Sequence, residues 1–217
     1  MSEPIIKLLV AALGETMLMV FFSTLVASLL GLMLGVILHI TRPGQILPLP
    51  RVQKTLEMLV NAGRSIPFII LLVAIIPFTR FIVGTSIGTV AAIVPLTVAA
   101  IPFMARLVEG TLMEIPSGLM DAAQAMGLRP FQMITKILLP EALPGILNSV
   151  TITMITLVNY SAMAGAIGGG GLGDIGIRYG YQRFDATVMV VTVLILILLV
   201  QFIQSVGHFL VRKVDHR

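Results

Sequence analysis

Five long apolar runs dominate the chain, at roughly residues 15–40, 57–79, 86–110, 142–167 and 186–211. Each meets the roughly 20 residues that a helix needs to cross the hydrocarbon core of a bilayer. That core offers no water to unpaired backbone groups, so only helices and closed barrels span it. Barrel strands alternate apolar and polar residues, and residues 190–200 do not. The expectation is an all-α integral membrane protein with five transmembrane helices. Composition agrees: 57% of the 217 residues are apolar and 11% are charged, against about a quarter charged in a soluble domain. Too few polar side chains remain to cover a water-soluble globule, and the chain is too hydrophobic for disorder. Residues 1–12 carry one lysine and an apolar patch without a small-residue cleavage site, so no signal-peptide layout is read there.

The basic residues orient these spans. Arg42, Arg51, Lys54, Arg64, Arg106, Arg129, Lys136, Arg212, Lys213 and Arg217 fall on one side, and Lys7, Arg80, Arg178 and Arg183 on the other, ten of the fourteen against four. Cytoplasmic loops carry the excess of Lys and Arg. The first set is therefore cytoplasmic, the N-terminus periplasmic and the C-terminus cytoplasmic. The same asymmetry accounts for the net charge of +4, since no dense basic stripe for nucleic acid is present. An odd number of spans excludes two equal halves of a pseudo-symmetric carrier. A pathway along an axis then comes most simply from two copies of the chain.

Several chemistries are excluded. There is no cysteine, hence no disulfide, thiolate metal site or cysteine nucleophile. His39, His208 and His216 are scattered without metal-ligand spacing. Glu15, Glu57, Glu109 and Glu141 lie near span ends, which disfavours the intramembrane relay of a proton- or ion-coupled carrier. Residues 168–173 spell a formal G-x-G-x-x-G. No strand precedes it, so the dinucleotide reading fails, and the phosphate-loop motif of ATPases is absent. Pro67 and Pro77 flank the second run, and Pro95 and Pro102 interrupt the third. They suit either a pathway that opens and closes or ordinary helices whose neighbours satisfy the backbone. Gly31 and Gly35, with Ser28 a turn earlier, form a small-residue face for close helix approach.

The longest non-spanning stretch is residues 111–141. Pro116 can open a helix, and Leu119, Ala122, Ala123 and Met126 share one face at i, i+3, i+4 and i+7. Gly127 follows as a left-handed stop. Pro130 starts a second short helix through Phe131, Ile134 and Ile137, which Pro140 ends. The pattern predicts a cytoplasmic hairpin whose narrow, alanine-containing face docks in a protein groove. It lacks the bulky apolar and basic faces of an interfacial helix.

Asp121-Ala122-Ala123, three residues, Gly127, nine residues, then Ile137-Leu138-Leu139-Pro140 resembles the EAA loop of ABC importer permeases, with Asp121 in place of glutamate. Arg64-Ser65-Ile66-Pro67-Phe68, Pro77-Phe78-Thr79-Arg80, Thr41-Arg42-Pro43-Gly44 and Tyr160-Ser161-Ala162-Met163-Ala164-Gly165 extend the resemblance to the permease subunits of bacterial methionine importers. The resemblance implies one type I importer domain over residues 1–217. It implies an inner-membrane homodimer joined to two cytoplasmic ATPase subunits. A substrate-binding lipoprotein would deliver L-methionine, and also D-methionine. No cofactor is expected in the chain, and ATP and magnesium would sit on the ATPase. Coupling to the ATPase is implied for Leu119, Asp121, Ala122, Ala123, Met126, Gly127, Ile137, Leu139 and Pro140.

Two further sets are read from the residues themselves. Ser149, Thr153, Thr156, Tyr160 and Met163 recur at helical spacing with Asn159 beside them. This polar stripe serves as a pathway or gate, with Met163 as a flexible plug, or as hydrogen-bonding glue between helices. In the loop 168–185, Asp174, Arg178, Tyr179, Tyr181, Arg183 and Asp185 form either a docking surface for the binding protein or solvated loop chemistry. Alternative functions are a permease for another substrate, or a self-sufficient channel or ion-coupled carrier.

Overall fold

The computed structural model describes residues 3–215, so the expectations for His216 and Arg217 lie outside the described residues. All regular structure among them is helical. Helix α1 (Glu3–Ile40) is followed by α2 (Pro50–Ser65), α3 (Phe68–Ala74), α4 (Ile76–Val83) and α5 (Thr89–Met113). Then come α6 (Ser117–Ala125), α7 (Pro130–Met133), a π-helical turn (Ile134–Leu138) and α8 (Leu139–Gly165). Short α9 (Gly171–Ile175), a second π-helical turn (Gly176–Tyr181) and α10 (Ala186–Val214) complete the fold.

Helix α5 is the hub. Its inward stripe is rich in small residues (Ala91, Ala92, Ala99, Ala100, Ala105), which lets α1, α2 and α8 approach it. The closest approach is to α1, where the small-residue face expected at Gly31 and Gly35 is used. A Cβ on Gly31 would stand 2.6 Å from Met104 Cβ, and one on Gly35 2.7 Å from the Ala105 carbonyl oxygen. Outward-facing side chains of α1 and α10, such as Phe21, Leu29, Leu198 and Phe202, are exposed and apolar, as lipid-facing surfaces require. Asp185 caps α10: its carboxylate accepts from the amides of Thr187 and Val188 at 3.0 and 3.1 Å.

Four helices among the described residues are long and apolar enough to cross a membrane, or up to five if a bent pair counts as one span. The bent pair corrects the second predicted span. Residues 57–79 are not one helix: α2 and α3 meet at 100°. Ile66 is extended (φ −81°, ψ 124°) because the residue before a proline is pushed out of the helical region, and Pro67 then caps α3. The first span is longer than predicted, a single helix from Glu3. Pro95 and Pro102 lie inside an unbroken α5.

Pro140 does not end the second hairpin helix. Residues 130–165 run on as one 36-residue stretch into α8. The π-helical turn before Pro140 lets the Leu139 amide bond Ile134 O, five residues back. The proline then falls in the first turn of α8, where its missing N–H costs little. The glycine-rich segment is also not an open loop. Gly171, Leu172, Gly173, Ile175 and Gly176 are buried, and α9 packs back against α1, α8 and α10.

The α1–α5 crossing generates a prediction. Gly35→Val should destabilise the chain by about 1–3 kcal/mol, as overpacking does, read as a lower melting temperature in detergent. Gly14→Ala, with nothing within 4 Å of its added Cβ, should leave it unchanged or slightly raised.

Candidate functional site

The predicted hairpin forms. Helix α6 starts after Pro116 and stops where Gly127 takes φ +78°, a backbone state that costs an L side chain about 1–2 kcal/mol. The Leu128 amide then bonds back to Ala123 O at 3.2 Å. The predicted apolar face divides in two. Ala123 is fully buried and faces the rest of the chain, next to partly buried Met120. Leu119, Asp121, Ala122, Met126 and Gly127 remain exposed. Phe131, which the sequence reading used only as a helix position, is 75% exposed, and Met126 is 69% exposed. An outward apolar surface of Leu119, Ala122, Met126 and Phe131 therefore sits on a hairpin that Ala123 pins from behind. A narrow 3.6-period stripe carries no sign of which edge turns inward, so the sequence did not separate these roles.

Of the other motif residues, Ile137 and Leu139 are half-buried and Pro140 is exposed. The intervening Leu138 is fully buried in a cluster with Ile40, Met104, Val108, Leu112, Ala142 and Ile146. The hairpin is thus rooted in the core at both ends. A cleft of about 370 Å³ lies between it and the end of α1, lined by His39, Arg42, Ser117, Met120 and Asp121 among others.

Beside this cleft is a feature the sequence reading missed. Glu109, assigned there only to a span end, is 1% exposed. Its Oε1 lies 2.9 Å from Arg42 Nη2 and its Oε2 accepts from Arg106 Nη1 at 2.7 Å. Arg106 Nη1 also lies 3.6 Å from Glu57 Oε1, whose other oxygen accepts from Gln53 Nε2 at 2.8 Å. The i, i+3 spacing of Arg106 and Glu109 was the one available signal.

The polar stripe on α8 does not open onto one space. Ser149 and Thr153 are buried against α5: Ser149 Oγ lies 3.4 Å from Thr111 Oγ1, and Thr153 Oγ1 donates to Ser149 O at 2.8 Å and lies 3.4 Å from Met104 Sδ. Tyr160 stacks on Phe68 just past the Pro67 break, with ring centroids 4.6 Å apart and planes 3° from parallel. All three make contacts within the chain, Ser149 and Thr153 buried and Tyr160 half-buried. Thr156 is half-buried, whereas Asn159 and Met163 are exposed. Asn159 lines a groove toward α10 with Gln201.

In the glycine-rich segment, side chains of α1 cap α9. Glu15 Oε2 accepts from the Gly171 amide at 2.7 Å and Thr16 Oγ1 from the Leu172 amide at 2.9 Å. Gly171 has φ +76°, and a Cβ there would stand 2.6 Å from Thr16 Oγ1, so only glycine fits. Asp174 and Arg178 pair with each other at 2.8 Å, and the Arg183 guanidinium lies 4.5 Å from the centre of the Tyr179 ring. Tyr181 and Arg183 project outward. With them is Phe184, 88% exposed and at φ +56°, which the sequence reading did not single out. Asp185 caps α10 and is withdrawn from that surface.

Residues 27–216 match the family model described as "Binding-protein-dependent transport system inner membrane component". The chain belongs to this family. It is 60% identical over 210 residues to the probable D-methionine transport system permease protein MetI of Vibrio cholerae, covering 97% of this chain and 93% of that one. It is 59% identical over 165 residues to the D-methionine transport system permease protein MetI of Escherichia coli, 76% of each chain. A solved structure titled as inward-facing conformations of the MetNI methionine ABC transporter superposes with a TM-score of 0.98, at 56% identity and over 100% of both chains. An amino acid ABC transporter crystallised with histidines shares the fold, with a TM-score of 0.78 at 15% identity over 95% of this chain. The chain is therefore an inner-membrane transport permease with the all-helical fold of an ABC importer subunit.

The cap on α9 is testable. Glu15→Ala removes an acceptor from a helix start, a loss of about 0.5–2 kcal/mol. Hydrogen exchange should speed up at the Gly171 and Leu172 amides while the middle of α5 stays protected.

Proposed function

We propose that the chain is the permease subunit of an ATP-driven methionine importer, taking L- and D-methionine. Two copies form the pathway, two ATPase subunits dock on the hairpins, and a substrate-binding lipoprotein delivers methionine at the opposite face. In this reading the N-terminus is periplasmic and the hairpin and C-terminus are cytoplasmic. ATP and magnesium belong to the ATPase. The observation that carries the proposal is the hairpin: an exposed apolar surface of Leu119, Ala122, Met126 and Phe131 on a scaffold rooted in the core through Ala123 and Leu138. A soluble partner is the natural cover for such a surface. The relatives named for D-methionine transport, matched over nearly the whole chain, support the substrate.

The remaining assignments follow from exposure. Asn159, Thr156 and Met163 are the α8 residues available to the pathway, with Met163 as the soft plug. Tyr181, Arg183 and Phe184 are the side chains available to a docked binding protein. Glu109 does not revive the ion-coupled alternative, because its carboxylate is paired with two arginines.

Labelled methionine uptake into proteoliposomes tests the proposal. Permease, ATPase and binding protein together should import methionine only when ATP is supplied, and the permease alone should import none. ATP-independent uptake by the permease alone would contradict it. Within the complex, Met126→Glu should weaken capture of the ATPase by about ten-fold or more, since a charge placed in an apolar contact costs at least the 1.4 kcal/mol that this factor represents. The variant permease should still be recovered folded. Capture at the parental level would remove the docking assignment.

A further inference from the structure

The ionic cluster around Glu109 is not used by the functions assigned above. It joins three parts of the chain: the turn after α1 through Arg42, helix α2 through Glu57 and Gln53, and helix α5 through Arg106 and Glu109. Arg42 Nη1 also lies 2.9 Å from Sδ of Met113, the last residue of α5. Only Glu114, Ile115 and Pro116 separate that point from helix α6. The cluster therefore sits at the root of the hairpin stem.

We propose that Glu109 is a positioning residue that locks the ends of α1 and α2 to the hairpin stem, so that a push on the hairpin moves these ends as one body. This inference rests on the reading of the hairpin as an ATPase docking element.

A carboxylate at 1% exposure is tolerated only when paired, and removing one partner leaves a buried charge without compensation. Separating α1 from α5 at this end would take Arg42 away and leave the buried Glu109 with Arg106 alone, so the cluster resists such motion. Apolar contacts resist it less specifically, because small sliding between packed helices exchanges one set of neighbours for another. Elsewhere along α1 and α5 the contact is mainly apolar and glycine-mediated, with a hydrogen bond from Ser23 Oγ to Ile93 O at 3.3 Å. The charges thus fix the hairpin end, where the force would enter. Burial and spacing give the geometry without any dependence on methionine, so the lock would serve whatever substrate the pathway passes.

The test compares ATP hydrolysed with methionine imported in the complete reconstituted complex. Glu109→Gln should assemble with the ATPase and hydrolyse ATP, while the ATP consumed per methionine rises about ten-fold, within the usual range of coupling between sites. The natural chain has no cysteine, so the double variant Arg42→Cys, Glu109→Cys can be bridged with a bis-maleimide without side reactions on this chain. The unbridged pair should be uncoupled and the bridged pair should recover the parental ratio, which a general folding defect would not do. A parental ratio in Glu109→Gln, or equal ratios in bridged and unbridged pairs, would overturn the proposal. If Glu109→Gln does not assemble, the bridged and unbridged pair decides alone. Failure of the parental complex to import methionine at all would instead count against the importer reading, and so is distinguished.

Discussion

A backbone amide that leaves its helix inside a bilayer must find a partner within the protein, because there is no water to accept it. Each irregular feature of this fold meets that demand in its own way. At the start of α9 the partners are side chains of α1, Glu15 and Thr16. Where α5 begins, the Gly88 amide bonds the Gly168 carbonyl oxygen at 2.9 Å, tying the glycine-rich turn to the hub helix. Before Pro140, a π-helical turn carries the chain past a residue that cannot donate. After the Pro67 break, the Ile70 and Leu71 amides both bond Pro67 O at 3.0 Å, and the stack of Phe68 on Tyr160 holds the bent segment against α8.

The same economy builds the hairpin. It is not a loose loop that a partner must order. Its glycine stop closes a hydrogen-bonded turn, Ala123 faces inward, and Leu138 lies in the core cluster shared with α1, α5 and α8. An interaction surface held this way loses little conformational entropy on binding. It also transmits displacement well, because close-packed interiors deform little. The exposed residues supply the contact, and Ala123 on α6 and Leu138 before α8 supply the stiffness.

Much of the architecture is legible in the sequence because bilayer thickness sets a simple length rule. The apolar runs gave the long helices, and proline and glycine gave the limits of α6. Gly31 and Gly35 announced a close helix crossing, and the crossing is there. What hydropathy does not contain is direction. It did not distinguish a straight span from the α2–α3 bend, since both have the same apolar content. It read a buried glycine-rich segment as an outer loop, because glycines that permit close packing look the same as glycines that permit flexibility. The α8 stripe shows a related limit: periodicity says which residues share a face, and only neighbours say whether that face meets α5, α3 or open space. The Glu109 cluster was hidden because Arg106 lies three residues from Glu109 but Arg42 is remote in sequence.

The docking surface is preformed and rooted in the packed core of the chain. Hydrogen exchange of residues 117–128 in the permease without its ATPase tests this most directly. Clear protection is expected at the Met126, Gly127 and Leu128 amides, which bond to Ala122, Gln124 and Ala123, before any partner is added. Exchange at the rate of an unstructured peptide, with protection arising only on adding the ATPase, would contradict it.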